Sequence, residues 1–259
     1  IKKFDEQSDE SMFGVFGTYS ETESWITAFF ADVYFDNNKQ KILAAAVAGE
    51  KNNEFKDFLG TGETVETTDN LKMGIFRYSH LIAKNWYLGG QIVSSDYEIG
   101  ADGVTGIIFD LIGFTGFNST GVGLVGEYDG RDHPRNPKTG NQFVVNNIAY
   151  RESLGGDESF DVYRADYHHY FPVSDKWTLA TQVRGRWTQD APLGAYSTVM
   201  LRGYVAGNFL APHYTHIDFD NRYWFKPRWG ISVFAGVACL YDDGSDCNDS
   251  DNIYPAAGA

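Results

Sequence analysis

Polar and apolar residues alternate with a period of two over most of the chain, and helical periodicity is nearly absent. This is the signature of β-strands whose two faces meet different surroundings. Strands are predicted at 12–20, 25–35, 40–50, 71–81, 86–96, 120–129, 142–151, 160–171, 177–187, 214–225 and 229–241, with a last one beginning near Tyr254. Many have the ~9–11 residues that a tilted strand needs to cross a bilayer, longer than the usual strand of a soluble sheet.

The faces are unlike each other. In 160–171 one side carries Tyr163, Ala165, Tyr167, His169 and Phe171, and the other Val162, Arg164, Asp166 and His168. Trp177, Leu179, Thr181, Val183 and Trp187 oppose Gln182, Arg184 and Arg186; Ile217, Phe219, Tyr223 and Phe225 oppose Asp218, Asp220 and Arg222. Alternation alone suits a soluble sandwich as well as a membrane barrel. Tryptophans near the strand ends (Trp25, Trp86, Trp177, Trp187, Trp224, Trp229) favour a barrel with interfacial girdles. Connections also alternate: "FDNNKQ", "IAKNW", "PVSDKW" and "FKPRW" are tight, whereas 51–70, 97–119, 152–159, 188–213 and 242–253 are long. Short turns on one side and long loops on the other fit an antiparallel transmembrane β-barrel of the outer membrane. The segment 106–117, "GIIFDLIGFTGF", reads as a loop that dips into the interface or continues strands beyond the bilayer.

Composition agrees with this. Aromatics reach 16% with 28 Gly and only 7 Pro, and mean hydropathy is −0.35. No apolar run is long enough for a transmembrane helix, which leaves a barrel open because alternating strands average to modest hydropathy. A net charge of −14 argues against nucleic acid as a partner. Cys239 and Cys247 either pair across one loop or stay free; they are too few for a thiolate zinc site. No linker or repeat divides residues 1–259, so one domain is expected, and the start "IKKFDEQSDE" carries no signal-peptide core.

One stretch does not fit a solvated loop: "STVMLRGYVAGNF", 197–209, lies between two strands yet is apolar around a single cation, Arg202. Together with its flanks it carries a resemblance. "GVGLVGEYDGRDHPRNPKTG" holds a D-x-R-D and an N-P-x-x-G in Asp129, Arg131, Asp132, Asn136, Pro137 and Gly140. "FDVYRADYHHYFPVSDKWTLATQVRGR" follows as a hairpin, then Leu201, Arg202, Gly203 and Tyr204 as "LRGY", then "IDFDNRYWFKPRWGISVFAGVACL" and "PAAGA". In this order the motifs, covering a little over half the chain, resemble the barrel of the BamA/TamA superfamily, the bacterial surface antigen family.

The resemblance implies a Gram-negative outer-membrane barrel aiding insertion or translocation of proteins or lipids, from a branch without POTRA domains. It implies a loop folded into the lumen, its arginine held by an acidic group on the wall. Asp220 or Asp218 is the expected partner, because a cation away from water needs carboxylates. Members with an F-x-D-x-G strand carry an aspartate where this chain has Gly236 in "FAGVA", so the usual wall partner is absent. The resemblance further implies a sixteen-stranded parent with a strand pair missing at each end, because about twelve strands are visible.

Catalytic readings are weaker. His168 and His169 point to opposite faces and cannot chelate one metal, and His213 and His216 read as a polar rim. Asp218 and Asp220 imitate a carboxylate pair of a β-sandwich hydrolase, but Arg202 and Arg222 nearby favour a salt-bridge network. "DDGSDCNDSDN" lacks calcium-loop spacing, and P-loop, G-x-S-x-G and H-E-x-x-H motifs are missing. No catalytic residue, metal or cofactor is expected; the expected surroundings are outer-membrane lipid and lipopolysaccharide, with a separate periplasmic or lipase partner left open. A passive or plugged pore is the competing function.

Overall fold

The computed structural model describes residues 2–55, 65–101, 116–204 and 208–259. Twelve strands form one antiparallel sheet: β1 (Met12–Tyr19), β2 (Trp25–Phe35), β3 (Gln40–Phe55), β4 (Val65–Ala83), β5 (Trp86–Ala101), β6 (Gly116–Asp129), β7 (Gly140–Tyr150), β8 (Phe160–Ser174), β9 (Trp177–Gln189), β12 (His213–Lys226), β13 (Trp229–Tyr241) and β14 (Ile253–Gly258). Each lies beside its neighbour in this sequence. β10 (Ser197–Thr198) and β11 (Leu210–Ala211) pair separately, inside the loop between β9 and β12.

Every segment read as a strand is one, but β3 to β6 run further than hydropathy indicates. The stretches 51–70 and 97–119, expected as loops, begin and end as strand; Lys51 faces Asp69 and Asn52 faces Thr68 across the β3–β4 ladder. Polar residues occupy both faces there, so the ladder continues after the alternation that reveals it has ceased. Of the segment 106–117, residues 106–115 lie outside the described residues, and Gly116 and Phe117 open β6.

The chain comprises two compact units. The first is Ile1–His80, Gly90–Gly123 and Tyr150–Ser159; the second is Leu81–Gly89, Leu124–Ala149 and Phe160–Ala259. In the first, Val15, Phe16, Phe29, Met73 and Phe76 are exposed, while Thr67, Ser79, Gln91 and Ser119 are buried. Arg77 donates to Gln91 Oε1 from Nε (3.1 Å) and Nη2 (2.8 Å). In the second, Phe171, Phe219, Phe225, Ile231 and Val233 are exposed, while Thr178, Thr188 and His216 are buried. Both units therefore expose many large apolar side chains along their strands and bury several polar ones. A soluble fold buries the apolar set first. Apolar exposure repeated strand after strand is the pattern that transmembrane strands carry. Twelve strands in one antiparallel sheet agree with the barrel expectation.

Within the second unit, tight turns set the registers. The β8–β9 pairing shifts between Pro172 and Ser174, and the β12–β13 pairing between Trp224 and Lys226. Each shift inserts one residue beside the turn and re-aims every side chain beyond it. The β12–β13 shift puts Asp218 opposite Gly236.

Candidate functional site

The loop leaving β9 is anchored before it reaches its arginine. Arg186 donates from Nη1 to Ser197 Oγ (2.7 Å) and from Nη2 to the Ala195 carbonyl (2.8 Å). Ser197 and Thr188 hydroxyls both donate to the Pro212 carbonyl, at 3.1 and 3.0 Å, closing the base of the loop. Val199 and Leu201 then bury against Tyr214, Ala238 and Leu240, with Tyr204, Ala211, Tyr254 and Ala256 around them. The Met200 amide donates to the Tyr214 hydroxyl (3.1 Å). This explains the loop's apolar character. The face of β12 and β13 that is charged at Asp218 and Asp220 is apolar at Tyr214, Ala238 and Leu240, and the loop covers that part. Burying a valine and a leucine contributes about 1.5–3 kcal/mol each.

Gly203 has φ +93°, and a Cβ there would meet nothing within 4 Å. Backbone conformation, not space, selects glycine at this turn. The turn delivers Arg202 onto the charged part of the wall. Its Nη2 lies 3.0 Å from Asp218 Oδ2, its Nη1 3.6 Å from Asp220 Oδ2, and the guanidinium sits 3.6 Å above the Phe234 ring. Asp220 is shared with Arg222 (3.5 Å) and accepts the Ser232 hydroxyl. Tyr204 donates to the Pro255 carbonyl (2.7 Å), and Tyr204 and Phe209 ring centroids lie 5.9 and 5.0 Å from that of Tyr254. The loop therefore bonds to β12, β13 and the last strand together.

Gly236 now has a reason. A Cβ on it would come within 2.9 Å of Asp218 Oδ1 and 2.9 Å of the Ile217 carbonyl. The carboxylate comes from Asp218, the registered neighbour on β12, and the glycine on β13 leaves it room. Of the two candidate partners of Arg202, Asp218 lies nearer, at 3.0 Å, and Asp220 at 3.6 Å. Phe234 beneath the guanidinium, Tyr214 under the loop and Pro255 as acceptor are the members that sequence reasoning missed. Phe234 and Gly236 were accessible only with the bulged register in hand.

A polar cavity of about 320 Å³ adjoins the arginine, lined among others by His168, Gln182, His216, Asp218 and Arg222. Arg184 pairs with Asp166 across β8 and β9. His216 lies inside β12, 4% exposed, so it is no rim residue; its Nδ1 is buried without a partner. His213 opens β12 and accepts the Thr188 amide at Nδ1 (3.3 Å). His169 bonds the Tyr167 hydroxyl (2.9 Å) and stacks on Phe171, while His168 lines the cavity. Among the described residues no His, Cys, Asp and Glu cluster forms a metal site.

The D-x-R-D turn is a self-contained clasp. Arg131 grips Asp129 through Nε and Nη2 (both 2.9 Å) and donates to the Pro134 carbonyl (3.0 Å). Asp132 Oδ1 accepts from the Lys138 and Thr139 amides, at 2.9 and 3.2 Å. The Asn136 amide bonds His133 Nδ1, Pro137 is buried, and Gly140 has φ +97° where a Cβ would strike the Gly130 carbonyl. Cys239 on β13 and Cys247 in the loop that follows it are disulfide-bonded (S–S 2.02 Å), settling the open pairing. Inside that loop the Ser245 hydroxyl and amide both bond Asp243, which holds its carboxyl below the ordinary carboxylate value.

No protein-family description matches the sequence, and no curated protein sequence matches it. Solved structures do. BamA from Haemophilus ducreyi lacking POTRA domains 1–3 superimposes with a TM-score of 0.57 at 11% identity, over 93% of this chain and 54% of that one. CdiB from Acinetobacter baumannii gives a TM-score of 0.62 at 11% identity, over 90% of this chain and 44% of that one. The chain thus spans about half the length of the structures it matches. With twelve strands in one antiparallel sheet, this chain has the β-barrel fold of these two structures.

Proposed function

We propose that the chain works as a non-enzymatic outer-membrane barrel that aids insertion or transport of proteins or lipids. The observation behind this reading is the 190–212 loop, bonded through Arg202 and Tyr204 to three successive strands in a fold shared with BamA and CdiB. A loop so placed stiffens one part of the wall while leaving other strand pairs to part. Asp218 and Asp220 serve as counter-ions on this reading: both face Arg202, and Asp220 also faces Arg222 and Ser232. Outer-membrane lipid and lipopolysaccharide are its surroundings.

The test is reconstitution into phospholipid vesicles, followed by dilution of an unfolded eight-stranded outer-membrane barrel from urea. Faster acquisition of heat-modifiable mobility by that client than with empty vesicles supports assembly activity. A passive, plugged pore is the second reading, favoured by the loop's cover over the polar face. It predicts no acceleration, and a planar-bilayer conductance that rises when Arg202→Ala frees the plug.

A further inference from the structure

The second unit is charged oppositely at its two ends. Its short connections, 84–85, 130–139, 175–176 and 226–228, hold seven cations (Lys84, Arg131, Arg135, Lys138, Lys176, Lys226, Arg228) against Asp132 and Asp175. The long connection 242–252 holds five aspartates and no lysine or arginine. In a chain of net charge −14, a cationic turn end is a local arrangement that overall composition does not supply.

The cations converge. A cleft of about 460 Å³ at the turn end is lined by Lys138, Lys176 and Lys226 from three different turns, with Trp224 and Phe225 beside them. Asp175 is the one acidic residue lining it. Among the described residues none of the three lysines makes an ion pair, whereas Arg131 in the same turn is gripped by Asp129. The volume falls within the usual range of about 300–1,000 Å³ for small-molecule sites. Its level in the membrane is marked by exposed aromatics at the same strand ends: Trp177, Phe225 and Trp229, the last 66% exposed. Such rings sit at the headgroup region, where lysines reach phosphates while their stems cover apolar surface.

We propose that this cleft is a site for the headgroup of an anionic phospholipid of the phosphatidylglycerol type. Its phosphate lies among Lys138, Lys176 and Lys226, and its acyl chains run down the apolar face beside Phe225 and Trp229. The proposal rests on the outer-membrane reading. Three uncommitted ammonium groups supply the charge complementarity, and the aromatic belt favours a lipid over an acidic peptide arriving from water. Each basic residue near an anionic lipid surface is worth about fivefold in association.

The test uses the full chain in nanodiscs of phosphatidylcholine, with spin-labelled phosphatidylglycerol or phosphatidylcholine added in trace. Wild type, the triple variant Lys138→Gln/Lys176→Gln/Lys226→Gln and a control, Lys3→Gln/Lys39→Gln/Lys51→Gln, are compared. The control removes the same charge elsewhere. The expected result is a preference for phosphatidylglycerol of tenfold or more in wild type and control, falling to about twofold or less in the triple variant. Equal association of both lipids with wild type overturns the site, as does a preference retained by the triple variant or lost equally in the control. Binding of a soluble polyglutamate peptide, abolished in the triple variant while lipid preference is absent, assigns the cleft to an acidic peptide instead. Failure of the chain to enter nanodiscs at all sinks the membrane reading. Loss of client folding with lipid preference intact sinks the assembly role alone.

Discussion

Replacing Arg202 by alanine removes two carboxylate contacts and a cation–π contact in one step. The hydrogen-bonded pair with Asp218 at 3.0 Å is the strongest of these; a charge-assisted bond contributes about 1.5–3 kcal/mol. The arginine side chain is 43% exposed, so screening places the pair at the low end. The 3.6 Å contact with Asp220 adds only a few tenths, because Asp220 keeps Arg222 and Ser232. Stacking on Phe234 adds about 0.5–1 kcal/mol. The sum is roughly 2–3 kcal/mol. Much of the loss arises at Asp218, only 17% exposed and left without its cation, so Asp218→Asn in the Arg202→Ala background should recover about 1 kcal/mol. Urea unfolding of the vesicle-inserted protein, followed by tryptophan fluorescence and heat-modifiable mobility, measures both. A loss below about 0.5 kcal/mol for Arg202→Ala, or further loss on adding Asp218→Asn, would refute the reasoning.

Three other outcomes are expected. Gly236→Ala should cost about 1–2 kcal/mol by pushing Asp218 off Arg202, while Gly236→Asp/Asp218→Gly, which moves the carboxylate across the strand pair, should recover most of the stability lost by Asp218→Gly alone; equilibrium unfolding of the set decides it. Cys239→Ser/Cys247→Ser reopens a short loop, for which chain entropy gives about 2–3 kcal/mol; matched unfolding with and without reductant checks it, since reductant should weaken only wild type. Asp243 has a lowered folded value, so its contribution is complete above the unfolded carboxylate value and fades as pH falls through the folded one. Hydrogen exchange at the Ser245 amide should therefore lose protection only in acid, below the ordinary value of 3.8, and Asp243→Asn should abolish that pH dependence.

Much of this was legible in the sequence because a membrane strand shows its two faces in its alternation. The strand cores and the polar set Asp218, Asp220 and Arg222 follow from period two, whereas the meeting of Arg202 with an aspartate was expected from the resemblance of its loop. Two kinds of information were hidden. Strand extensions such as Lys51–Phe55 on β3 are polar on both faces, and a ladder without hydropathy contrast reads as a loop. Register was the other. Counting back from the Lys226–Trp229 turn pairs Asp218 with Val237, but the bulge near Phe225 moves the pairing to Gly236. One inserted residue decides that a glycine rather than a valine side chain lies beside the carboxylate, and no composition or period announces it. Gly236, read from sequence as the loss of a wall partner, is the space that the partner's carboxylate occupies.

The central claim is that the apolar face meets lipid and the charged face does not. Spin labels placed singly at Val233→Cys on β13 and Gln182→Cys on β9 test it in bilayer vesicles, through relaxation by oxygen and by a water-soluble nickel chelate. Val233 is 50% exposed on the apolar face, and Gln182 lines the cavity beside Arg202. The account predicts strong oxygen and weak nickel relaxation at 233, with less oxygen relaxation at 182. Nickel relaxation at 233 equal to that of a label in the 242–252 loop would place the apolar face in water and contradict the membrane fold.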